Sequence, residues 1–252
     1  MKIATSTVSL EGFSDQSSND RRIKNLRESL DCLKKQDVNL FCLPAGYLFS
    51  NDSNYINKLA DKIFDIANEY KIAIVVGIDI HYKDLSKDWA EDIKNYNLPF
   101  FATASIPQNG KKYIWRQRSI NSKDQMFASD KICSDVRTLF INEKNIGILL
   151  CGEIFNERMR ESLISKGIKI VIDIAHISTG FRVHAAMKVL AKNDVISFCS
   201  VHTQRRNGRK YCYVPYQNSW INRSSNEADF FIGKDPRLEI KIWETNKMLH
   251  NI

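Results

Sequence analysis

Short apolar runs alternate with helical patterns along most of this 252-residue chain, and that alternation limits the fold more than any other feature. Apolar residues recur on one face over 21–34 and over 56–66, which is the spacing of α-helices that pack on a core. Other runs have the length and composition of buried strands, and they lie at 2–8, 38–43, 72–80, 168–174 and 195–201. Buried strands separated by helices predict an α/β fold.

Two predicted β-hairpins interrupt the alternation. The first joins 100–106 to 111–115 around Asn109-Gly110, a dipeptide that favours tight turns. The second joins 139–141 to 146–150. Strand pairs of this kind, inserted among strands that helices separate, predict a mixed sheet.

Two further helices are predicted near the middle of the chain, over 156–166 with Gly167 as the C-terminal cap, and over 181–192. The polar segment 82–96 is expected to lie on the surface. The chain contains no internal repeat and no low-complexity linker. We therefore predict a single domain over residues 1–252.

The net charge of +8, from 37 Lys and Arg against 29 Asp and Glu, raises the question of a nucleic-acid partner. The densest cationic stretch, 205–210, contains Asn207-Gly208 and is therefore predicted to be an exposed hairpin turn. No recognition-helix or RNA-binding motif accompanies it, and no aromatic residues are interleaved with its cations. The sequence favours a solvated turn, with binding of phosphates or of an acidic partner as the alternative. Nucleic acid is the least favoured partner.

The longest apolar runs, such as 72–76 and 146–151, are far too short to span a bilayer. The first residues also lack the apolar core of a signal peptide, so we expect a cytoplasmic protein with no membrane partner. The six cysteines include no CxxC pair and no histidine at zinc-like spacing. They are therefore predicted to be reduced thiols rather than disulfides or metal ligands.

One cysteine differs from the others by its position. The predicted strand 146–150 ends at Cys151. Gly152 and Glu153 follow, and then a predicted helix. A turn of this kind presents a side chain at the carboxyl end of a strand, where backbone N–H groups and the helix dipole stabilise an oxyanion and a thiolate. Cys151 is therefore a candidate nucleophile, with a buried strand-end cysteine as the alternative.

Four blocks in this order resemble the nitrilase, or carbon–nitrogen hydrolase, superfamily over nearly the whole chain. They are the strand that runs into Pro44-Ala45-Gly46-Tyr47, the block 74–77, the segment 115–120 (Trp-Arg-Gln-Arg-Ser-Ile) and the Cys block 147–153. The resemblance implies an α/β fold of four layers, an α-β-β-α sandwich, and chains that pair as a homodimer. It implies hydrolysis of a small-molecule amide-type substrate, with no metal and no organic cofactor.

The resemblance also implies catalytic residues, and this chain departs from two of them. In the family a Glu is the general base, a Lys stabilises the tetrahedral oxyanion and a Cys is the nucleophile. Cys151 matches the last of these. Ala45, however, stands in the slot of the Glu, and Gln117 stands in the slot of the Lys. Arg116 and Arg118 flank Gln117, and either arginine could supply the oxyanion charge.

An alanine cannot accept a proton, so Ala45 leaves two explanations open. It is native in a relative without catalysis, or it is an engineered Glu→Ala that silences an enzyme. Loss of the base would lower the rate by about two to four orders of magnitude. The first hypothesis is therefore a cysteine hydrolase that is crippled or inactive in this chain. The second is a pseudoenzyme that binds a ligand or a protein partner on the same scaffold.

Three residues near these motifs are candidates for contacts with the substrate. Gly152 and Glu153 follow the nucleophile directly, and Tyr47 lies two residues after Ala45. Glu153 has an alternative interpretation as a carboxylate near a helix start, where the dipole favours negative charge. The alternative interpretation of Tyr47 is an ordinary aromatic residue of the core.

His176 is the remaining candidate. It follows the predicted strand 168–174, so we expect it at the carboxyl end of that strand, where the sites of α/β proteins gather. It is predicted to line the active site, with a structural histidine as the alternative. His184 and His202 receive no role.

Overall fold

The computed structural model of the protein describes residues 1–9, 18–51, 53–80, 101–118, 137–177, 180–203, 212–214, 219–221, 230–233 and 237–246. Within those ranges its helices are α1 (Asn19–Lys34), α2 (Ser53–Tyr70), α3 (Glu157–Ser165) and α4 (Gly180–Ala191). Its strands are β1 (Lys2–Ser9), β2 (Leu40–Cys42), β3 (Leu48–Ser50), β4 (Ala73–Ile80), β5 (Phe101–Ile106), β6 (Lys111–Arg116), β7 (Arg137–Ile141), β8 (Lys144–Leu150), β9 (Ile170–Ile177), β10 (Ile196–Thr203), β11 (Cys212–Val214), β12 (Ser219–Ile221), β13 (Phe230–Ile232) and β14 (Arg237–Glu244).

The sheet is organised around the N-terminal strand. β2 pairs in parallel with residues 3–5 of β1, and β10 pairs in parallel with residues 7–9 of the same strand. Two half-sheets therefore diverge from β1, one in the order β2-β4-β5-β6 and the other in the order β10-β9-β8-β7. Each half-sheet ends in an antiparallel pair, β5 with β6 and β7 with β8. β14 runs antiparallel along the whole of β1.

Among the residues that the structure describes, alternate strand residues supply three separate cores. In β1, Ala4 packs in a cluster with the apolar faces of α1 and α2, whereas Ile3 lies in a cluster between the half-sheets. In β8, Ile148 belongs to that middle cluster, and Leu149 packs with α3 and α4. Because the side chains of a strand alternate between faces, each half-sheet is covered by helices outside and by the other half inside. This is the four-layer α-β-β-α sandwich that the resemblance implies.

Most predicted elements are confirmed, with ends that shift by a few residues. Both predicted hairpins are present, and Gly167 follows α3 with a φ of +68°, as expected after a helix end. The strand predicted over 168–174 is wrong at both ends, because β9 covers Ile170–Ile177. His176 is therefore held within this strand and does not follow it.

Some sequence-based expectations concern parts of the chain outside the described residues. These are the surface segment 82–96 and the cationic turn 205–210, and both stay predictions. In the ranges that the structure describes, no helix is both long and apolar enough to cross a membrane. Cys42 and Cys199 are buried free thiols in strands, as their apolar neighbours predict.

Candidate active site

A strained turn carries the candidate nucleophile. β8 ends at Leu150, and the chain continues into a 3₁₀ turn, Cys151–Phe155. Cys151 has a φ of +52°, in the left-handed region that side-chain-bearing residues seldom adopt and that costs on the order of 1–3 kcal/mol. Asn156 then caps α3, since its side chain accepts a hydrogen bond from the Met159 N–H at 3.2 Å. The turn and the cap hold a partly exposed Cys151 at the carboxyl end of β8.

A buried ion pair ties this turn to the end of β6. Glu153 and Arg137 have side chains 0% and 2% exposed, and Arg137 Nη2 lies 2.9 Å from Glu153 Oε1. The Glu153 carboxylate also accepts hydrogen bonds from the backbone N–H of Leu150 at 2.9 Å and that of Arg118 at 2.6 Å. Arg137 donates in turn to the carbonyl of Arg116. These contacts make Glu153 a positioning residue for the turn, and its predicted contact with substrate stays a prediction.

An imidazole links the cysteine to a carboxylate of the other half-sheet. His176 Nε2, on β9, lies 2.8 Å from Asp79 Oδ1, on β4, and the same ring forms a side-chain hydrogen bond with Cys151. Burial lowers the pKa of His176, but the hydrogen bonds and negative charges of Asp79 and Cys151 outweigh it and raise that pKa to about 10. At neutral pH the ring is an imidazolium between two acidic groups. Its side chain is 31% exposed, which leaves it accessible from the site.

A second aspartate lies beneath the turn. Asp173, on β9, is 1% exposed and accepts a hydrogen bond from the Cys151 backbone N–H. Burial, followed by the negative charges of Cys151 and Glu153, raises the pKa of Asp173 well above the usual carboxyl range. Among the described residues, no group hydrogen-bonds to Asp173 Oδ1. The neutral carboxyl is therefore the favoured form.

The turn after β2 contains Ala45, the slot of the family's general base. Ala45 is fully buried, and a Cβ on Gly77 of β4 would lie 2.3 Å from Ala45 Cα, so the two backbones touch. Gly46 has a φ of +63°, and a Cβ there would lie 2.5 Å from Asp79 Oδ2. Asp79 thus places its carboxylate against the residue that follows Ala45.

His202 supports this turn from β10. Its Nε2 donates a hydrogen bond to the Ala45 carbonyl, and the residue is 4% exposed. Burial is the main cause that lowers the pKa of His202 to about 3, so the ring is neutral. His202 has no role predicted from the sequence, whereas the structure makes it a positioning residue for the Ala45 turn.

The segment that holds the slot of the family's lysine lies beside the Cys151 turn. Gln117 is buried directly after β6, and Arg116 and Arg118 on either side are partly exposed. Arg137 holds the carbonyl of Arg116, and Glu153 holds the N–H of Arg118. The role predicted for either arginine at an oxyanion stays a prediction.

Two predicted substrate contacts lie in buried positions. Tyr47 is fully buried and donates its hydroxyl to the carbonyl of Arg22 at 2.7 Å, and burial raises the pKa of Tyr47. Those are the contacts of a core residue, which was the alternative interpretation of this tyrosine. Gly152 is buried within the 3₁₀ turn.

Sequence reasoning missed Asp79, Asp173 and Arg137. The two aspartates share a signal that could have found them, because each is the acidic residue of an Ile-Asp-Ile sequence inside an apolar strand. A carboxylate at such a position is seldom buried unless it is paired or functional. No local sequence pattern of this kind marks Arg137, because its partner Glu153 lies on the far side of the β7–β8 hairpin. Within the described ranges, no three His, Cys, Asp or Glu side chains are placed to hold a metal ion.

No protein-family model matches the sequence, and no curated protein is similar to it by sequence. Solved structures do match. A Glu-to-Gln mutant of the amidase from Nesterenkonia sp. AN1, which shows covalent addition of the acetamide moiety of fluoroacetamide at the active-site cysteine, is similar to this chain with a TM-score of 0.66 and 11% identity. The match covers 100% of this chain and 93% of that one.

A Cys-to-Ala mutant of the same amidase in complex with butyramide matches with a TM-score of 0.64 and 11% identity, over 100% of this chain and 94% of that one. A further Cys-to-Ala mutant, described as an amidase from the nitrilase superfamily, has a TM-score of 0.61 and 12% identity, with the same coverage. The chain therefore has the fold of the nitrilase-superfamily amidases.

Proposed function

We propose that the protein is a cysteine-dependent hydrolase that cleaves the carbon–nitrogen bond of a small amide-type substrate. The observation that carries the proposal is the geometry of Cys151, a partly exposed thiol at the carboxyl end of β8, in a turn with a φ of +52°. A thiol presented in this way is suited to nucleophilic attack on a carbonyl carbon. The amidase with this fold carries a covalent adduct at its active-site cysteine, and its mutant binds butyramide, which supports small amides as the substrate class.

The reaction proceeds in two steps. The Cys151 sulfur attacks the carbonyl carbon and forms a C–S bond, and the C–N bond then breaks as the nitrogen leaves with an added proton. Water attacks the resulting thioester, which releases the carboxylic acid and restores the thiol. Arg116 and Arg118 are our candidates for stabilising the oxyanion, because Glu153 and Arg137 hold the backbone of both against the Cys151 turn.

Ammonia release from butyramide, acrylamide and fluoroacetamide tests the proposal. We expect only slow release by the unmodified protein, because Ala45 removes the family's general base, and none by C151A. C32A is the matched control, because Cys32 is a partly exposed cysteine of α1 outside the site. Intact-mass spectra after fluoroacetamide should show one adduct that maps to Cys151. Ammonia release that survives C151A would overturn the assignment of the nucleophile.

Ala45 favours a second candidate function, a protein that binds an amide-type ligand or a partner without turnover. It predicts an adduct on Cys151 but no catalytic release of ammonia. Ala45→Glu then separates two explanations: activity that appears only in this variant indicates a silenced enzyme, and continued inactivity indicates a binding protein.

The assembly, the location and a nucleic-acid partner are further proposals, the first from the resemblance and the other two from the sequence. A homodimer predicts a light-scattering mass twice the 29.1 kDa of the chain. A cytoplasmic location predicts recovery in the cytoplasmic fraction of its own cells. A nucleic-acid partner, the least favoured, predicts a gel shift with short DNA or RNA that weakens steeply as salt rises.

A further inference from the structure

The proposed hydrolysis needs a group that takes the thiol proton, and position 45 carries none. The other carboxyl groups that adjoin the Cys151 turn are engaged differently. Glu153 is held by Arg137 and by two backbone N–H groups. Asp173 is buried under the turn in its neutral form, where it accepts the Cys151 N–H. Neither is placed to act as the base.

The middle layer of the sandwich offers a different base. Ala73 and Val75 of β4 and Ile172 and Ile174 of β9 all belong to the cluster between the half-sheets. Asp79 continues this alternating series on the inner face of β4. In β9 the register against β10 shifts after Ile174, and His176 in that stretch meets Asp79 at 2.8 Å. His176 contacts Cys151 from the same position. The histidine therefore bridges a thiol on one half-sheet and a carboxylate on the other.

We infer that Cys151, His176 and Asp79 form a catalytic relay in which His176 is the general base and acid, and Asp79 positions it. The inference rests on the proposed hydrolase function and names the residues that take over from the family's missing Glu. Asp79 Oδ1 accepts the Nε2–H of His176, which orients the ring and leaves the other ring nitrogen to exchange a proton with Cys151 and the reacting groups. Such an arrangement of nucleophile, histidine and carboxylate recurs on unrelated folds because the roles depend on geometry and not on sequence order.

Every proton that moves in the relay comes from, and passes to, one of four groups: Cys151, His176, water or the leaving nitrogen. In the resting site His176 already holds, as an imidazolium, the proton that Cys151 has given up. The thiolate attacks the carbonyl carbon, and the imidazolium passes that proton to the leaving nitrogen as the C–N bond breaks. Neutral His176 then takes a proton from water, whose oxygen attacks the thioester carbon. The C–S bond breaks with its electron pair on sulfur, which releases the acid and restores the Cys151 thiolate beside the imidazolium.

The groups around His176 favour this cycle. Asp79 faces it from β4 and Cys151 from the end of β8, and both favour the imidazolium. Asp173 on its own strand and His202 on β10 interact with it electrostatically, and each is held neutral by burial. Once Cys151 is acylated its negative charge is gone, so the imidazolium loses one of its two acidic partners. Proton transfer to the leaving nitrogen is then favoured.

Two measurements test the relay in the full chain. In amide hydrolysis, H176N and H176Q should lower kcat by about 10²–10⁴-fold, the usual worth of a general acid–base group. Alkylation of Cys151 by iodoacetamide needs no turnover. We expect H176N to slow it by about tenfold or more at pH 6 and much less at pH 9, because the imidazolium stabilises the thiolate chiefly where a free thiol is protonated.

Variants of Asp79 separate positioning from packing. D79N should reduce alkylation at pH 6 in the same direction as H176N, and D79E should restore part of it, whereas a packing defect would slow the reaction equally at both pH values. D61N is the control, because Asp61 is an exposed carboxylate that pairs with Lys112 on the surface. If H176N does not fold, the ratio of the alkylation rates at pH 6 and pH 9 is measured in H176Q and D79N instead.

The outcomes distinguish the relay from the proposed function. If C151A abolishes ammonia release while H176N and H176Q keep the wild-type kcat and alkylation ratio, the relay is wrong and the hydrolase assignment stands. If no amide is hydrolysed by the unmodified protein or by Ala45→Glu, the hydrolase assignment fails. In that case a pH-selective loss of alkylation in H176N still supports the pairing of Cys151 with His176, and an unchanged ratio overturns it.

Discussion

Asp79 and Asp173 have the same local sequence and opposite environments. Each is the acidic residue of an Ile-Asp-Ile stretch in a parallel strand, β4 or β9. Asp79 lies on the inner face of its strand, is 21% exposed and pairs with His176. Asp173 is in phase with Val171 and Ala175, which pack outward against α3 and α4, and burial raises its pKa. The face of the strand, and not the neighbouring sequence, decides which aspartate reaches His176 and which is buried beneath the turn.

The strongest test of this difference is an Asp-to-Asn substitution at each position. D79N should lower kcat by about 10²–10⁴-fold, because His176 loses the carboxylate that orients it. D173N should leave kcat nearly unchanged, because an amide oxygen still accepts the Cys151 N–H and the carboxyl it replaces is already neutral. Steady-state amide hydrolysis measures both. Equal losses in the two variants would contradict the distinction.

Glu153 sharpens the comparison, because it is as buried as Asp173 and yet fully paired. R137M leaves its carboxylate without a cationic partner, which should cost about 3–5 kcal/mol of unfolding free energy. K112M, which breaks an exposed pair with Asp61, is the control and should cost at most about 1 kcal/mol. Urea unfolding measures both values. A cost for R137M as small as that for K112M would show that the pair does not organise the turn.

The pairing of Asp79 with His176 predicts a pH dependence of stability. The folded-state pKa of His176 is about 10 against an ordinary value of 6.5, so its stabilising effect is complete below about pH 6.5 and is lost as the pH rises through about 10. H176Q should therefore have its largest deficit in Tm at pH 6 and a shrinking deficit towards pH 10. A deficit that stays constant with pH would remove the ion pair as its cause.

Asp173 predicts the smallest effect on stability, in the same direction as His176 but starting at a lower pH. Its folded-state pKa is raised above the ordinary 3.8, so it favours the folded state at acid pH, and this contribution is lost as the pH rises through 3.8 towards the folded-state value. D173N should therefore raise Tm slightly at pH 7 and lose that gain near pH 4. Thermal unfolding at both pH values measures it, and a lower Tm at pH 7 would contradict the neutral form.

Much of the fold could be predicted from local pattern. The helical spacing of Leu26, Leu30 and Leu33 determines which face of α1 is buried, and Asn109-Gly110 marks the first hairpin. Strand ends were harder, because an apolar run such as 168–177 contains no breaker to show where pairing starts and stops. The two-residue shift at its beginning and the extension to Ile177 follow from pairing with β8 and β10.

The candidate site could be predicted only in part. Cys151 stands out because glycine and a helix follow the strand that it ends. The partnership of His176 with Asp79 could not be predicted, because the two residues are 97 positions apart and belong to different half-sheets. The Glu153–Arg137 pair was missed for a related reason, since a carboxylate two residues after a nucleophile looks the same whether it is solvated or buried.

The sequence by itself determined the order of strands and helices, the α/β class and the position of the strand-end cysteine. Those features depend on local periodicity and on residues close together in the chain. Tertiary structure alone decided which ionisable groups meet. Strands that are apolar on both faces do not reveal from their sequence which face is inner, and only the divergence of the two half-sheets at β1 brings Asp79 to His176 and leaves Asp173 under the turn.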